Sequence, residues 1–439
     1  MNYLGRFLLV LFFWGGMFSF TGNIPLLFAQ DDPAATVSQD PSSTELTLPE
    51  CYQLALKQSE KIAIQQQLIK ETEARFLQSL SGILPRVSYS LSEKRQDGRG
   101  DSNFTLREIP EQKFVFSQPL FSGFKEFAAM AASRAEGRQR KQEKIRAEQL
   151  LFTDVADAFY FFFTYQQDLE TLEAIHTALA QRVEELKSRE ELGRARPSEV
   201  ASAESRLSRI EAELELVKAR QATARQLMEF LIGKPFAALL DPVAERPALE
   251  ILDTYLAKVD QRPDVMAFKE AWEVAKKEVV VARAGFFPVV GMDGNYYTKR
   301  TGNSSDVDWD VTLKVDVPLF QGGENVGKTK EASAKEQGAK LKFAEARRNA
   351  VLDIQNIYTQ YAAALKRTAA LAKALQAVEK NYELQKEDYR FNLVNNLEVL
   401  QALEELQDVR REHSGVTNET KQLYWKLQAA TGEISYDAF

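Results

Sequence analysis

The sequence predicts a mainly α chain with a membrane β-barrel portion: long coiled-coil helical hairpins and four transmembrane strands per chain. Three observations lead there: an internal duplication, long stretches with apolar residues in steps of three and four, and short segments that alternate apolar with polar. In the duplication, Pro119, Glu199 and Gly233 recur as Pro318, Glu398 and Gly432, each 199 positions on. Upstream, Gly82-Ile83-Leu84-Pro85 is answered by Gly285-Phe286-Phe287-Pro288 at an offset of 203. A period of about 200 residues is far too long for a solenoid, so one structural unit has been doubled.

The elements follow in order. Residues 1–30 read as a secretory signal, with Arg6 ahead of an apolar run from Phe7 to Phe20 and Phe28-Ala29-Gln30 as the cleavage region. The same run also fits an uncleaved anchor. Residues 31–47, rich in Asp, Pro, Ser and Thr, read as a flexible leader. Repeat 1 covers 48–233: a helix over 49–81, a β-hairpin at about 85–119, and a helical hairpin whose tip lies at about 192–200. A linker, 234–261, leads to repeat 2 at 262–432, with its β-hairpin at about 288–318 and its tip at about 391–399; 433–439 is a C-terminal tail. In the second long helix Phe343, Ala346, Ala350, Ile354, Ile357, Tyr361 and Ala364 form a coiled-coil-like seam. An unbroken helix over 122–192 would reach about 100 Å, longer than an ordinary domain is wide. Pro197 reads as the first residue of the return helix, which puts Arg196 or Ala195 at its cap.

The period-two segments put Val87, Tyr89 and Leu91 on one side of a strand, Val290, Met292 and Tyr296 on another, and Trp309, Val311, Leu313 and Val315 on a third; Phe114 and Phe116 mark the fourth. Apolar alternating with Ser, Asp, Thr and Lys is the pattern of strands with lipid on one side and water on the other. It equally fits a soluble hairpin packed on a helix; the secretory signal and the lack of any long apolar helix favour the membrane. Four strands cannot close a barrel, which needs about eight, and open edges are not tolerated in lipid. Two copies would give a barrel filled by its own side chains, and three a water-filled one.

Composition excludes several functions. The formal charge is −7, which argues against nucleic acid as a partner. One cysteine and two histidines leave no disulfide and too few ligands for a zinc site. No catalytic residue, metal or cofactor is expected, and the chain does not read as an enzyme. Gly322 to Thr329 matches the phosphate-loop spacing, but a nucleotide site needs a parallel βαβ setting and this strand belongs to an alternating hairpin. Phe159-Tyr160-Phe161-Phe162-Phe163 reads as packing between helices.

The order of parts, with Pro119-Leu120-Phe121-Ser122-Gly123 and Pro318-Leu319-Phe320-Gln321-Gly322 opening the two long helices, resembles the outer-membrane efflux proteins of the TolC family over Leu48 to Gly432. The resemblance implies a homotrimer in the outer membrane, with most of each chain in the periplasm. A twelve-stranded barrel would sit in outer-membrane lipid above an α-helical tunnel. It implies passive export for a tripartite efflux pump or type I secretion system, with a periplasmic adaptor and an inner-membrane transporter as partners. The alternative is a structural periplasmic coiled-coil rod without channel activity. By the same resemblance the tips contact the adaptor through Leu192, Gly193, Arg194, Pro197, Ser198 and Glu199, and through Phe391, Asn392, Leu393 and Leu397. Glu398 and Gln401 align with two acidic positions at the family's periplasmic gate; Gln401 is not acidic here. Without the resemblance, both tips read as helix-hairpin turns and Glu398 as an exposed helix-N-terminal carboxylate, favoured by the helix dipole.

Overall fold

The computed structural model describes residues 45–96, 108–241, 249–301, 305–391 and 393–434. The signal segment, most of the leader, most of both hairpin turns, Asn392 and the last residues of the tail lie outside them. The chain opens with β1 (Glu45–Thr47), α1 (Leu48–Gln58) and α2 (Glu60–Ser81). The single helix expected over 49–81 is therefore broken. Ser59 takes an extended conformation, ends α1 and caps α2, its hydroxyl accepting from the Ile62 amide at 3.4 Å.

β2 (Arg86–Arg95) and β3 (Glu108–Ser122) lead to α3 (Lys125–Glu191) and α4 (Pro197–Ile232). Arg196 is the cap of α4 and Pro197 its first residue, where proline's missing amide costs nothing. Then come β4 (Ala238–Leu240), α5 (Leu252–Leu256), a 3-10 turn (Val259–Gln261) and α6 (Pro263–Arg283). Repeat 2 continues with β5 (Val289–Lys299), β6 (Trp309–Asp316), α7 (Glu324–Arg390) and α8 (Asn396–Thr431). The helices α3 and α7 have 67 residues each, and α4 and α8 have 36 each. At 1.5 Å per residue the long pair reach about 100 Å. Gly233 and Gly432, at φ 74° and 80°, end α4 and α8 in the left-handed conformation that a side chain disfavours.

The segment between the repeats is more than a linker. β4 pairs in parallel with β1, and α5 lies on α7. Three apolar clusters hold the helices. One joins α1, α3 and α4 around Phe152, Phe159, Tyr160 and Met228. Within the aromatic run Phe159, Tyr160 and Phe162 are buried, while Phe161 stays half exposed. The second runs toward the tips through Leu172, Leu186, Val217 and Leu400, and the third gathers Tyr255, Val265, Ile354, Tyr361 and Leu427.

Where α3, α6, α7 and α8 meet, Arg262 is only 2% exposed. Its guanidinium donates to both Asp264 oxygens at 2.8 and 2.7 Å, to Asp353 at 3.1 Å, and to the Ala430 and Ala350 carbonyls at 3.4 and 3.5 Å. Burial, the largest single effect, would raise the Asp264 pKa; the bonds and charge of Arg262, with the Arg146 charge and the Val265 amide, together outweigh it and hold the carboxyl below its usual range.

Candidate functional site

Two places gather the residues singled out in the sequence: the sheet at one end of the helices and the helical tips. The sheet is antiparallel, in the order β2-β3-β5-β6. Partners directly opposite share a face, so the register assigns the sides. Val87, Phe116, Gly294 and Val311 form one row, and Tyr89, Phe114, Tyr296 and Trp309 the next. Met292 lies opposite Leu313, and Val290 opposite Val315. All ten residues expected on the apolar side thus lie on one face. Val87, Tyr89, Leu91, Tyr296, Trp309, Val311, Leu313 and Val315 are exposed, and Val290 and Met292, on the inner strand β5, are half-buried. The aromatic row crosses every strand, with the Tyr89 and Phe114 ring centroids 4.9 Å apart. Gln118 sits opposite Met292 but turns its amide back to the Ile83 carbonyl at 2.9 Å.

The other face is polar and cross-linked. Ser117 donates to Asp293 at 2.7 Å, and Asn295 and Tyr297 both donate to Asp310 at 2.8 Å. Lys113 pairs with Glu111 at 2.8 Å, and the Arg300 guanidinium lies 4.1 Å from the Tyr297 ring centre. One side of this sheet can therefore meet hydrocarbon and the other water. No helix among the described residues is long and apolar enough to cross a membrane.

At the first tip Gly193 takes φ 70°, and its amide donates to the Glu190 carbonyl at 2.8 Å. Leu192 is 70% exposed, Arg194, Pro197 and Ser198 are exposed, and Glu199 is half-buried. At the second tip Phe391, Leu393 and Leu397 are exposed. Asn392 falls outside the described residues. Glu398 and Gln401 are exposed on neighbouring positions of α8. The Glu398 carboxylate accepts from the Asn395 amide at 2.8 Å, and the Asn395 side chain accepts from the Glu398 amide at 3.1 Å. This reciprocal capping box fixes the start of α8. Repeat 1 has Arg196 in place of Asn395, which cannot accept, and α4 starts without a side-chain cap.

The structure adds residues that the sequence left unremarked. Arg182 donates to Asn396 at 2.8 Å and stacks 3.7 Å from the Tyr389 ring centre, whose hydroxyl accepts from Arg189 at 3.2 Å. Arg411 on α8 pairs with Asp168 of α3 and Glu213 of α4; the bonds to Asp168, above all, raise its pKa. Arg206 donates to Leu400 and Glu404 of α8 at 3.0 and 2.8 Å. These contacts bind one helical hairpin to the other. A lone arginine on a charged helix carries no signal in sequence; only its partner more than 190 positions away distinguishes it.

The geometry can be set beside known proteins. The chain is 21% identical over 370 residues to the outer membrane protein TolC of Vibrio cholerae, covering 81% of this chain and 84% of that one. It is 23% identical over 374 residues to the alkaline protease secretion protein AprF of Pseudomonas aeruginosa, covering 80% and 77%. The crystal structure of the outer membrane protein VceC from Vibrio cholerae has the same fold, with a TM-score of 0.75 at 21% identity over 88% of this chain and 96% of that one. The family model for the outer membrane efflux protein matches residues 51–234 and 258–433, one segment for each repeat. With both repeats matched, the chain belongs to the outer membrane efflux protein family.

Proposed function

We propose that three copies of this chain close a twelve-stranded barrel in the outer membrane and continue it as a helical tunnel through the periplasm. The assembly is a passive exit duct. Energy and substrate come from an inner-membrane transporter through a periplasmic adaptor, in an efflux pump or a type I secretion system. The relative named for alkaline protease secretion supports the second setting. One observation carries the proposal: a four-stranded sheet, apolar on one face and polar on the other, leaves the outer edges of β2 and β6 without a partner strand among the described residues. In hydrocarbon an unpaired edge costs several kcal/mol per group, so copies must pair edge to edge until the sheet closes.

Leu192 to Glu199 and Phe391 to Leu397 are the adaptor-contact tips, where exposed leucine and phenylalanine project beyond helices that pack well above them. Glu398 from three copies rings the periplasmic mouth and favours cations; Gln401 adds no charge to that ring.

Outer-membrane fractionation followed by planar-bilayer recording tests this reading. The duct should be found in the outer membrane and should conduct. A protein released with the soluble periplasm that never conducts is instead a coiled-coil rod.

A further inference from the structure

The two hairpins obey one rule of correspondence. Val87↔Phe116 and Tyr89↔Phe114 in repeat 1 become Val290↔Val315 and Met292↔Leu313 in repeat 2 under the offsets of 203 and 199. Inside the chain, repeat 1 also meets repeat 2, where β3 pairs with β5. Among the described residues β6 has no counterpart of that junction, and the two strands differ accordingly. β3 runs for 15 residues to Ser122, whereas β6 stops after 8, at Asp316. The residues that would continue it, 317–321, lack the partner strand that keeps 118–122 extended.

The turn beyond β6 differs in the same way. A Cβ on Gly123 would come within 2.7 Å of the Ala284 carbonyl and 2.8 Å of the Phe287 Cβ, while one on Gly322 or Gly323 would meet nothing within 4 Å. Phe121 is half-buried, but its counterpart Phe320 is 88% exposed.

We infer that the β3–β5 junction is the template for the junction between copies. β6 of one copy pairs with β2 of the next so that Val315 lies opposite Leu91 and Asp316 opposite Ser90; beyond the strand, Phe320 comes opposite Val87 and Gly322 seats against Ser81 and Leu84, as Phe121 does with Val290 and Gly123 with Ala284 and Phe287. The inference rests on the barrel reading above and adds the register. Chemistry supports this register. Val315 and Leu91 are both apolar and exposed. Asp316 opposite Ser90 restores the Ser117–Asp293 hydrogen bond with donor and acceptor exchanged between strands. A slip by one residue would turn apolar side chains to the polar face.

Paired cysteines in the full-length chain, oxidised in outer membranes, test this; the native Cys51 is fully buried and takes no part. Directly opposite residues have Cα atoms about 4.5–5.5 Å apart, within disulfide reach. Val315→Cys with Leu91→Cys, and independently Lys314→Cys with Ser92→Cys, should link chains into covalent multimers. The yield should exceed that of the shifted pair Val315→Cys with Tyr89→Cys by about tenfold, because Cα atoms more than about 7 Å apart are not bridged. A multimer that links best in the shifted pair overturns the register and leaves the barrel standing. A protein that stays monomeric and links in no pair overturns both.

Discussion

Replacing Arg262 with methionine keeps most of its volume and removes its charge. Asp264, whose side chain is 27% exposed, would then keep Arg146, at 3.7 Å, and the bond it accepts from the Val265 amide at 2.9 Å. Breaking a buried pair by removing one partner costs about 3–5 kcal/mol. Asp353 is half exposed, so its share is about 0–1 kcal/mol, and the surviving Arg146 places the total near the low end, about 3 kcal/mol. The sign with pH follows from Asp264, whose folded pKa lies below its unfolded value. Its contribution is therefore complete above the ordinary carboxylate pKa of about 4 and is lost as pH falls through the lower, folded value. The difference between wild type and Arg262→Met should be largest at neutral pH and should narrow below about pH 4. Urea titration of the full chain in detergent, followed by helical circular dichroism, measures it. A difference under about 1 kcal/mol at neutral pH, or one that grows in acid, refutes the reasoning.

Phe152→Ala should cost about 3–5 kcal/mol in the same titration, since the ring is fully buried and packs edge-on against Tyr52 and Trp425 at 5.1 Å. Glu398→Ala should lower single-channel cation preference and, through the lost capping box, destabilise α8 by about 1 kcal/mol; unchanged ion selectivity would remove Glu398 from the gate. Leu192→Glu should leave stability within about 0.5 kcal/mol of wild type because the side chain is 70% exposed. Its effect should fall on adaptor binding in a pull-down, and undiminished capture would exclude this tip from docking.

Much of this protein is legible in order along the chain. Steps of three and four specify the helices, and Gly233 and Gly432 stop two of them because only glycine takes the left-handed cap without strain. Alternation groups Tyr89 with Val87 and Leu91, and Trp309 with Val311, Leu313 and Val315, since successive side chains on a strand point to opposite sides; the strand register then puts these groups on one face. The exact duplication fixes the matched lengths of α3 with α7 and α4 with α8. The break at Ser59 escaped because serine is tolerated within helices, and there its hydroxyl competes for the backbone instead.

Only the tertiary structure decided which repeat-related residues are covered. Phe121 and Phe320 each end a Pro-Leu-Phe triplet but differ in exposure, because one meets a neighbouring strand of its own chain and the other does not. The partners of Arg182, Arg262 and Arg411 were likewise decided in space. A side chain's local pattern records that it is charged, but the carboxylate or carbonyl that pairs with it is brought there by packing between distant helices.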